Sequence, residues 1–314
     1  MSRLTNQRSA KAQALAGALA VGIVMSAALA KADEGGVSFW IPGFFGSLAA
    51  TPQQPGWSFA NIFYNTDVKG GGDVALAREF QIGNLDPRFS GSASASVKAD
   101  VPLNMVIPQY VFATPVLGGQ AAVAFLGGYG RNDTNLTGTL NGIITPGHIP
   151  VGAYDSTRLA NMGIGHGAID VGGGYTYLNQ PTGHEFSAVL GFTYNLLNTS
   201  TQYRNGVDMH LDWAASQWLS KQTFVGPVGY VYRQISCDSG SGDHVGCFES
   251  QVIGIGPQIG HIFPINKDLQ GYLNLKAYGE FANEHRPDGW NLWLTFAISP
   301  AAAPPPSPMR MVTK

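Results

Sequence analysis

The sequence predicts an all-β protein, an antiparallel transmembrane β-barrel of the outer-membrane kind with about ten strands and an N-terminal plug-like segment. Three observations predict it. Charged residues make up 12% of the 314 positions, against about 25% in soluble domains, yet no stretch after residue 32 approaches the roughly 18 apolar residues of a membrane helix. Several segments alternate apolar and polar side chains with period two, the pattern of a strand wetted on one face only. The connections between them are short and long by turns, as periplasmic turns and external loops are.

Taken in order, residues 1–32 read as an export signal. Arg3, Arg8 and Lys11 give a basic start, Ala14 to Ala30 is small or apolar apart from Ser26, and Ala30-Lys31-Ala32 offers a small-x-small cleavage pattern. An uncleaved membrane anchor is the competing reading, disfavoured by the short, alanine-rich run. Residues 33–56 form an apolar stretch ahead of the first strand. Its aromatic residues Phe39, Trp40, Phe44 and Phe45 are candidates for a lumen plug or an apolar patch.

The barrel is expected over residues 57–299. Four segments carry the clearest alternation. Phe186, Ala188, Leu190, Phe192 and Tyr194 alternate with Glu185, Ser187, Val189, Gly191, Thr193 and Asn195. Val207, Met209, Leu211, Trp213 and Ala215 alternate with Asp208, His210, Asp212, Ala214 and Ser216. Leu269, Leu273, Leu275, Ala277 and Phe281 face away from Gln270, Asn274, Lys276 and Glu280. Trp290, Leu292, Leu294, Phe296 and Ile298 alternate with Asn291, Trp293, Thr295, Ala297 and Ser299. A helix would scatter Asp208, His210 and Asp212 around its circumference instead of aligning them. A soluble β-sandwich also alternates; Tyr and Trp near the strand ends favour a membrane interface.

Strand starts fall near Trp57, Leu103, Gln120, Gly167, His184, Gly206, Gln222, Ser250, Leu269 and Gly289. Twelve strands follow if residues 140–165 supply a further pair. Short turns are expected at Pro115–Gly119, Asn179–Gly183, Ser216–Lys221 and Pro264–Asp268, and long connections at Thr66–Pro102, Asn132–Gly165, Leu196–Asn205, Ser236–Glu249 and Ala282–Asp288. Both chain ends then lie in the periplasm. Residues 300–314, rich in Pro and Ala, read as a flexible tail. Gly289-Trp290-Asn291-Leu292-Trp293-Leu294-Thr295-Phe296 is the candidate assembly signal for the barrel-assembly machinery.

Chemistry-bearing motifs are few. Cys237 and Cys247 lie ten residues apart in an exported chain and are expected to form a disulfide closing one loop. A metal site there would lack zinc-ligand spacing. Gly163-Ile164-Gly165-His166-Gly167-Ala168 has the letters of a dinucleotide fingerprint, but a glycine-rich strand, not a helix, follows it. His184 and Ser187 are three apart on a strand and point to opposite faces, so they do not pair as base and nucleophile. No catalytic residue, metal or cofactor is assigned. A net charge of −2 gives no basic field for nucleic acid. Glu185, Asp208, His210, Asp212, Lys276 and Glu280 fall on one predicted lumen face, as a polar lining or as a salt-bridge network filling a small barrel.

Several stretches carry a resemblance to a family. They are Ser38-Phe39-Trp40-Ile41-Pro42-Gly43, Phe45-Gly46-Ser47-Leu48-Ala49-Ala50, Pro55-Gly56-Trp57-Ser58, Tyr110–Gly119, Ile149–Asp155, Gly163–Asp170, Gly183–Ser187 and Gly289-Trp290-Asn291. Together they resemble the exported proteins catalogued as "involved in the meta-pathway of phenol degradation", across most of residues 35–300. The resemblance implies an outer-membrane transporter for small hydrophobic compounds, aromatic ones among them. It implies lipid and lipopolysaccharide as surroundings and no enzyme chemistry. The family pattern has an additional strand pair between the positions matching Ile143 and His148, which are here joined directly. The alternatives are an outer-membrane lipid or ester hydrolase, and a structural or adhesive barrel without transport.

Overall fold

The computed structural model describes residues 39–71, 95–114, 120–138, 147–149, 165–243, 247 and 249–301. The signal segment, the start of the 33–56 stretch, the tail beyond residue 301 and most of 139–164 lie outside the described residues.

Among the described residues, thirteen strands, β1 (Gly56–Gly71), β2 (Ala95–Val111), β3 (Ala122–Ala124), β4 (Gly127–Gly130), β5 (Asn132–Gly138), β6 (Gly147–Ile149), β7 (Ala168–Asn179), β8 (His184–Asn195), β9 (Asp208–Trp218), β10 (Thr223–Gln234), β11 (Gln251–Pro264), β12 (Leu269–Glu284) and β13 (Asp288–Pro300), join in one sheet. Every pairing is antiparallel. The order runs β6-β5-β2-β1-β13-β12-β11-β10-β9-β8-β7, with β3 and β4 also on β2. First and last long strands meet, Phe59 opposite Ile298 and Lys69 opposite Asp288, so β1 begins and β13 ends at one end of the sheet.

β3, β4 and β5 are one strand in three pieces. All three pair with β2 in an unbroken register, Val111 opposite Ala122, Val106 opposite Gly127 and Asp100 opposite Asp133. The interruptions fall opposite Pro108 and Pro102, which have no N–H to give the ladder. Their carbonyls still accept from Phe125 N (3.0 Å) and Arg131 N (3.1 Å). With those pieces counted as one and the short β6 set aside, the described residues supply 10 strands. From β7 onward the strands run between 11 residues (β9) and 16 residues (β12), enough for the roughly 9–11 that a tilted membrane strand needs.

Two connections differ from the sequence reading. β2 begins at Ala95, not near Leu103, because Ser96, Lys98 and Asp100 are strand residues despite their loop-like polarity. β12 continues to Glu284, so its link to β13 is only 285–287. Ala282 (φ 52°) and His285 (φ 49°) turn the chain there, and a register shift between Gln251 and Ile253 marks the same rim.

The polarity of the sheet is inverted relative to a soluble protein. Outward positions of β8, Phe186, Leu190, Phe192 and Tyr194, are exposed, while inward Glu185, Ser187, Thr193 and Asn195 are buried. On β9 the inward Asp208, His210 and Asp212 are each no more than 3% exposed. Leu273, Leu275, Trp290, Leu294 and Phe296 face out; Asn274, Lys276 and Asn291 face in. An apolar exterior over buried charges and amides is stable only with hydrocarbon outside, where strand ladders satisfy the backbone. Two outward amides, Asn61 and Asn104, satisfy each other across β1 and β2 at 2.8 Å. Trp57, Tyr110 and Phe112 cluster at the rim where β1 begins and β13 ends, with Trp57–Tyr110 centroids 5.2 Å apart, a place suited to headgroups.

Candidate functional site: the N-terminal segment inside the barrel

Residues 40–53 lie against the inward face of the sheet. Starting from the rim, Gln53 exchanges hydrogen bonds with Gln120 (2.9 and 2.6 Å) and accepts from Gln109 (2.8 Å). Ala50 N donates to Thr176 Oγ1 on β7 (3.0 Å). β7 ends the pairing order on one side, and Gln120 leads into the β3–β5 strand, second from the other end after the short β6, so contact of one short segment with both regions shows that the sheet curls around it. Leu48 N and Ser47 Oγ donate to Glu185 at 3.0 and 2.6 Å. Ser47 Oγ also lies 2.6 Å from Ser216 Oγ and from Gln258 Nε2.

Deeper in, a turn is held from two sides. Asp212 accepts from Gly43 N (2.9 Å) and Phe45 N (3.0 Å). Lys276 Nζ donates to the carbonyls of Gly43, Phe44 and Phe45 at 2.6, 2.9 and 3.1 Å. A buried acid and a buried ammonium thus share one backbone turn, which satisfies both charges that burial would otherwise penalise. Gly43 has φ 87°, and a Cβ there would lie 3.0 Å from the Tyr278 ring and 3.1 Å from Tyr230. Glycine meets both demands, the left-handed backbone and the close approach.

Trp40 stacks on His210, centroids 3.8 Å apart and planes at 14°. His210 Nε2 is 2.7 Å from Asp170 Oδ2, which also accepts from Thr193 Oγ1 at 2.6 Å. The imidazole lies over Gly191, where a Cβ would come within 2.3 Å of Cε1. Phe44 meets Trp293 edge-on at 6.0 Å and Phe45 at 5.3 Å. Ile41 and Phe44 pack on a buried cluster that includes Ile62, Tyr64, Leu103, Met105, Tyr230, Tyr278 and Trp293. The interior is therefore two-sided, polar along β7–β9 and β11–β12 and apolar along β1, β2 and β10.

The six sequence-predicted lumen residues divide into groups. Glu185, Asp212 and Lys276 bind the segment directly, and His210 carries Trp40. Glu280 instead accepts from Tyr230 (2.6 Å) and Asn291 (3.2 Å), with Trp293 Nε1 donating to Asn291 at 3.0 Å. Tyr230 reaches Glu280 across β11 because Gly254 stands between them in register. Asp208 lies at the far rim, accepting from Asn195 at 2.8 Å. Of the aromatic candidates, Trp40, Phe44 and Phe45 make ring contacts; Phe39 is half-buried.

Sequence reading passed over Ser47, Thr176, Gln258 and Tyr278. The signal was strand parity, since each of the three strand residues shares the inward phase of its neighbours. Ser187 is buried and bonded to Glu185 and Thr176, whereas His184 is exposed, so these residues form no nucleophile–base pair. Cys237 and Cys247 are disulfide-bonded, with Cα atoms 4.4 Å apart; Glu249 lies beside them, but the disulfide leaves no thiolate for a metal. Their loop is tied to residues 196–207 through Arg204–Ser239 backbone pairing and Gly206 N to Asp238 at 3.0 Å.

Residues 141–296 match the family described as "Putative MetA-pathway of phenol degradation". Over that stretch the chain has the family's pattern. The match takes in β6 to most of β13 and stops short of the segment and of β1 and β2, where part of the motif resemblance lay. No curated protein matches the sequence. Among solved structures, the COG4313 outer membrane channel from Pseudomonas putida F1 is similar at 10% identity, over 80% of this chain and 97% of that one, with a TM-score of 0.45. The translocator domain of autotransporter NalP from Neisseria meningitidis is similar at 9% identity, over 80% and 90%, with a TM-score of 0.32. A Pseudomonas aeruginosa FadL homologue is similar at 10% identity, over 91% and 99%, with a TM-score of 0.27. These scores are low, and the barrel assignment rests on the pairing and polarity of this chain's own strands.

Proposed function

We propose that this protein is an outer-membrane channel for small hydrophobic compounds, aromatic ones among them, linked to their catabolism, and that residues 33–56 are its plug. One observation carries the reading. Residues 40–53 lie against the inward wall, held through hydrogen bonds and ring contacts and not by strand pairing. Such a segment can leave without breaking a single strand pair. The family description, with its reference to phenol degradation, supports the class of solute.

The protein acts without catalysis in this reading. Its exterior takes lipid and lipopolysaccharide, its export signal is removed near Ala32, and the last strand guides the barrel-assembly machinery. Apolar solutes cross a lipopolysaccharide leaflet poorly, so a route lined by Tyr64, Tyr278 and Trp293 gives them passage.

Liposome swelling with the refolded chain tests the proposal, comparing phenol with a sugar of similar size. Faster uptake of phenol than through protein-free liposomes, with no such gain for the sugar, is the expected result. No gain for either solute with a folded barrel would sink the channel.

A further inference from the structure

The turn at residues 43–45 offers the barrel wall a particular set of groups. It gives one flat apolar ring, Phe44, to the cluster around Trp293. It gives oxygen acceptors to Lys276 and polar hydrogens to Asp212. Lys276 Nζ also lies 5.1 Å from the Trp293 ring centroid, so the polar and aromatic halves of this site adjoin. None of these contacts needs a polypeptide. A hydroxyl on an aromatic ring supplies all three at once, since its oxygen accepts, its hydrogen donates and the ring stacks.

We propose that Asp212 and Lys276, with the aromatic wall of Tyr64, Tyr278 and Trp293, form the binding site for a neutral hydroxylated aromatic solute, which the Phe44 turn occupies in the solute's absence. This rests on the channel reading and names the solute class and the residues that select it. The hydroxyl donates to the Asp212 carboxylate and accepts from the Lys276 ammonium. A carboxylated ring suits the site less well, because Asp212 repels it and it brings no hydrogen for Asp212 to accept. A bare hydrocarbon leaves both buried charges unpaired, which is costly.

Turn and solute exclude one another, so the solute's apparent affinity is reduced by the fraction of barrels whose turn is docked. Weakening the turn must therefore strengthen binding of the hydroxylated solute more than that of the bare ring, whereas a cavity left by lost packing admits both alike.

The experiment measures binding of 4-fluorophenol and fluorobenzene to the refolded full chain in detergent by fluorine NMR, with heat-modifiable gel migration confirming the fold. Phe44→Ala should tighten 4-fluorophenol binding about tenfold or more. Gly43→Ala, which unseats the same turn through Tyr230 and Tyr278, is the second variant and should tighten it as well. Lys276→Met should reduce 4-fluorophenol to the level of fluorobenzene. The proposal is overturned if neither turn variant binds 4-fluorophenol more tightly than the parent chain, or if the two probes bind alike. Swelling assays on the same proteins separate the two ideas. Phenol uptake without turn–solute competition removes this site and keeps the channel, while competition without uptake keeps the site and removes the channel.

Discussion

Asp212 shows how much of the interior depends on single side chains. Its two oxygens accept the only hydrogen bonds described for Gly43 N and Phe45 N. Asp212→Ala should leave both buried donors unmet, at about 1–3 kcal/mol each, and leave Lys276 without its opposing charge. We expect the segment to undock, read as at least tenfold faster maleimide labelling of a Ser47→Cys reporter; unchanged labelling would show that the turn is held elsewhere. Gly191 is a quieter case. Its missing side chain is the floor on which His210 lies, so Gly191→Ala should push the imidazole off Trp40 at a cost of about 1–3 kcal/mol. The expected readout is weakened near-ultraviolet dichroism with the far-ultraviolet strand signal intact. Residues of this kind were half legible. Asp212, Lys276 and Glu185 stood out as charges in strand phase, but nothing in a linear pattern says that Glu280 serves Tyr230 while Asp212 serves a turn far away in sequence.

Strands obey a simpler rule than their individual residues. Leu275 faces outward between Ile259 and Leu294 on the neighbouring strands, where hydrocarbon replaces water. Leu275→Arg should cost about 2–4 kcal/mol if it lies at bilayer depth, lowering the urea midpoint of refolding into vesicles. A shift no larger than that of Phe59→Arg at the rim would contradict the proposed depth. The outer loops answer to different chemistry. Removing the Cys237–Cys247 bridge with Cys237→Ser and Cys247→Ser should loosen the loop by about 2–3 kcal/mol. Proteolysis within 235–250 should speed up while the folded barrel keeps its gel mobility; cleavage at the parental rate would mean that the Arg204–Ser239 and Gly206–Asp238 contacts suffice. Strand alternation and the disulfide were both visible in the sequence. The extension of β2 back to Ala95 was not, because outside the membrane both faces of a strand are wet and period two fades.

For the molecule as a whole, the proposed transport hinges on whether the segment moves. Ser47 and Ser216 place their hydroxyls 2.6 Å apart, so Ser47→Cys with Ser216→Cys should form a bridge that locks the segment to β9. The locked protein should lose nearly all phenol uptake and regain it on reduction, with the reduced parent chain as control for the native disulfide. Uptake by the locked form would show that solute passes without movement of the plug.

Low charge, period-two alternation and the rhythm of short and long connections determined the antiparallel barrel from the sequence alone. They could do so because a strand between lipid and lumen imposes its two environments on adjacent residues, a constraint local to the chain. Tertiary structure alone decided what fills the interior. The pairing of β1 with β13 and the curl that brings Thr176 and Gln120 to one segment join residues remote in sequence. Their choice of partners depends on register, on glycine gaps such as Gly254 and on the need to satisfy Asp212 and Lys276 after burial. Those are long-range conditions, and no local pattern records them.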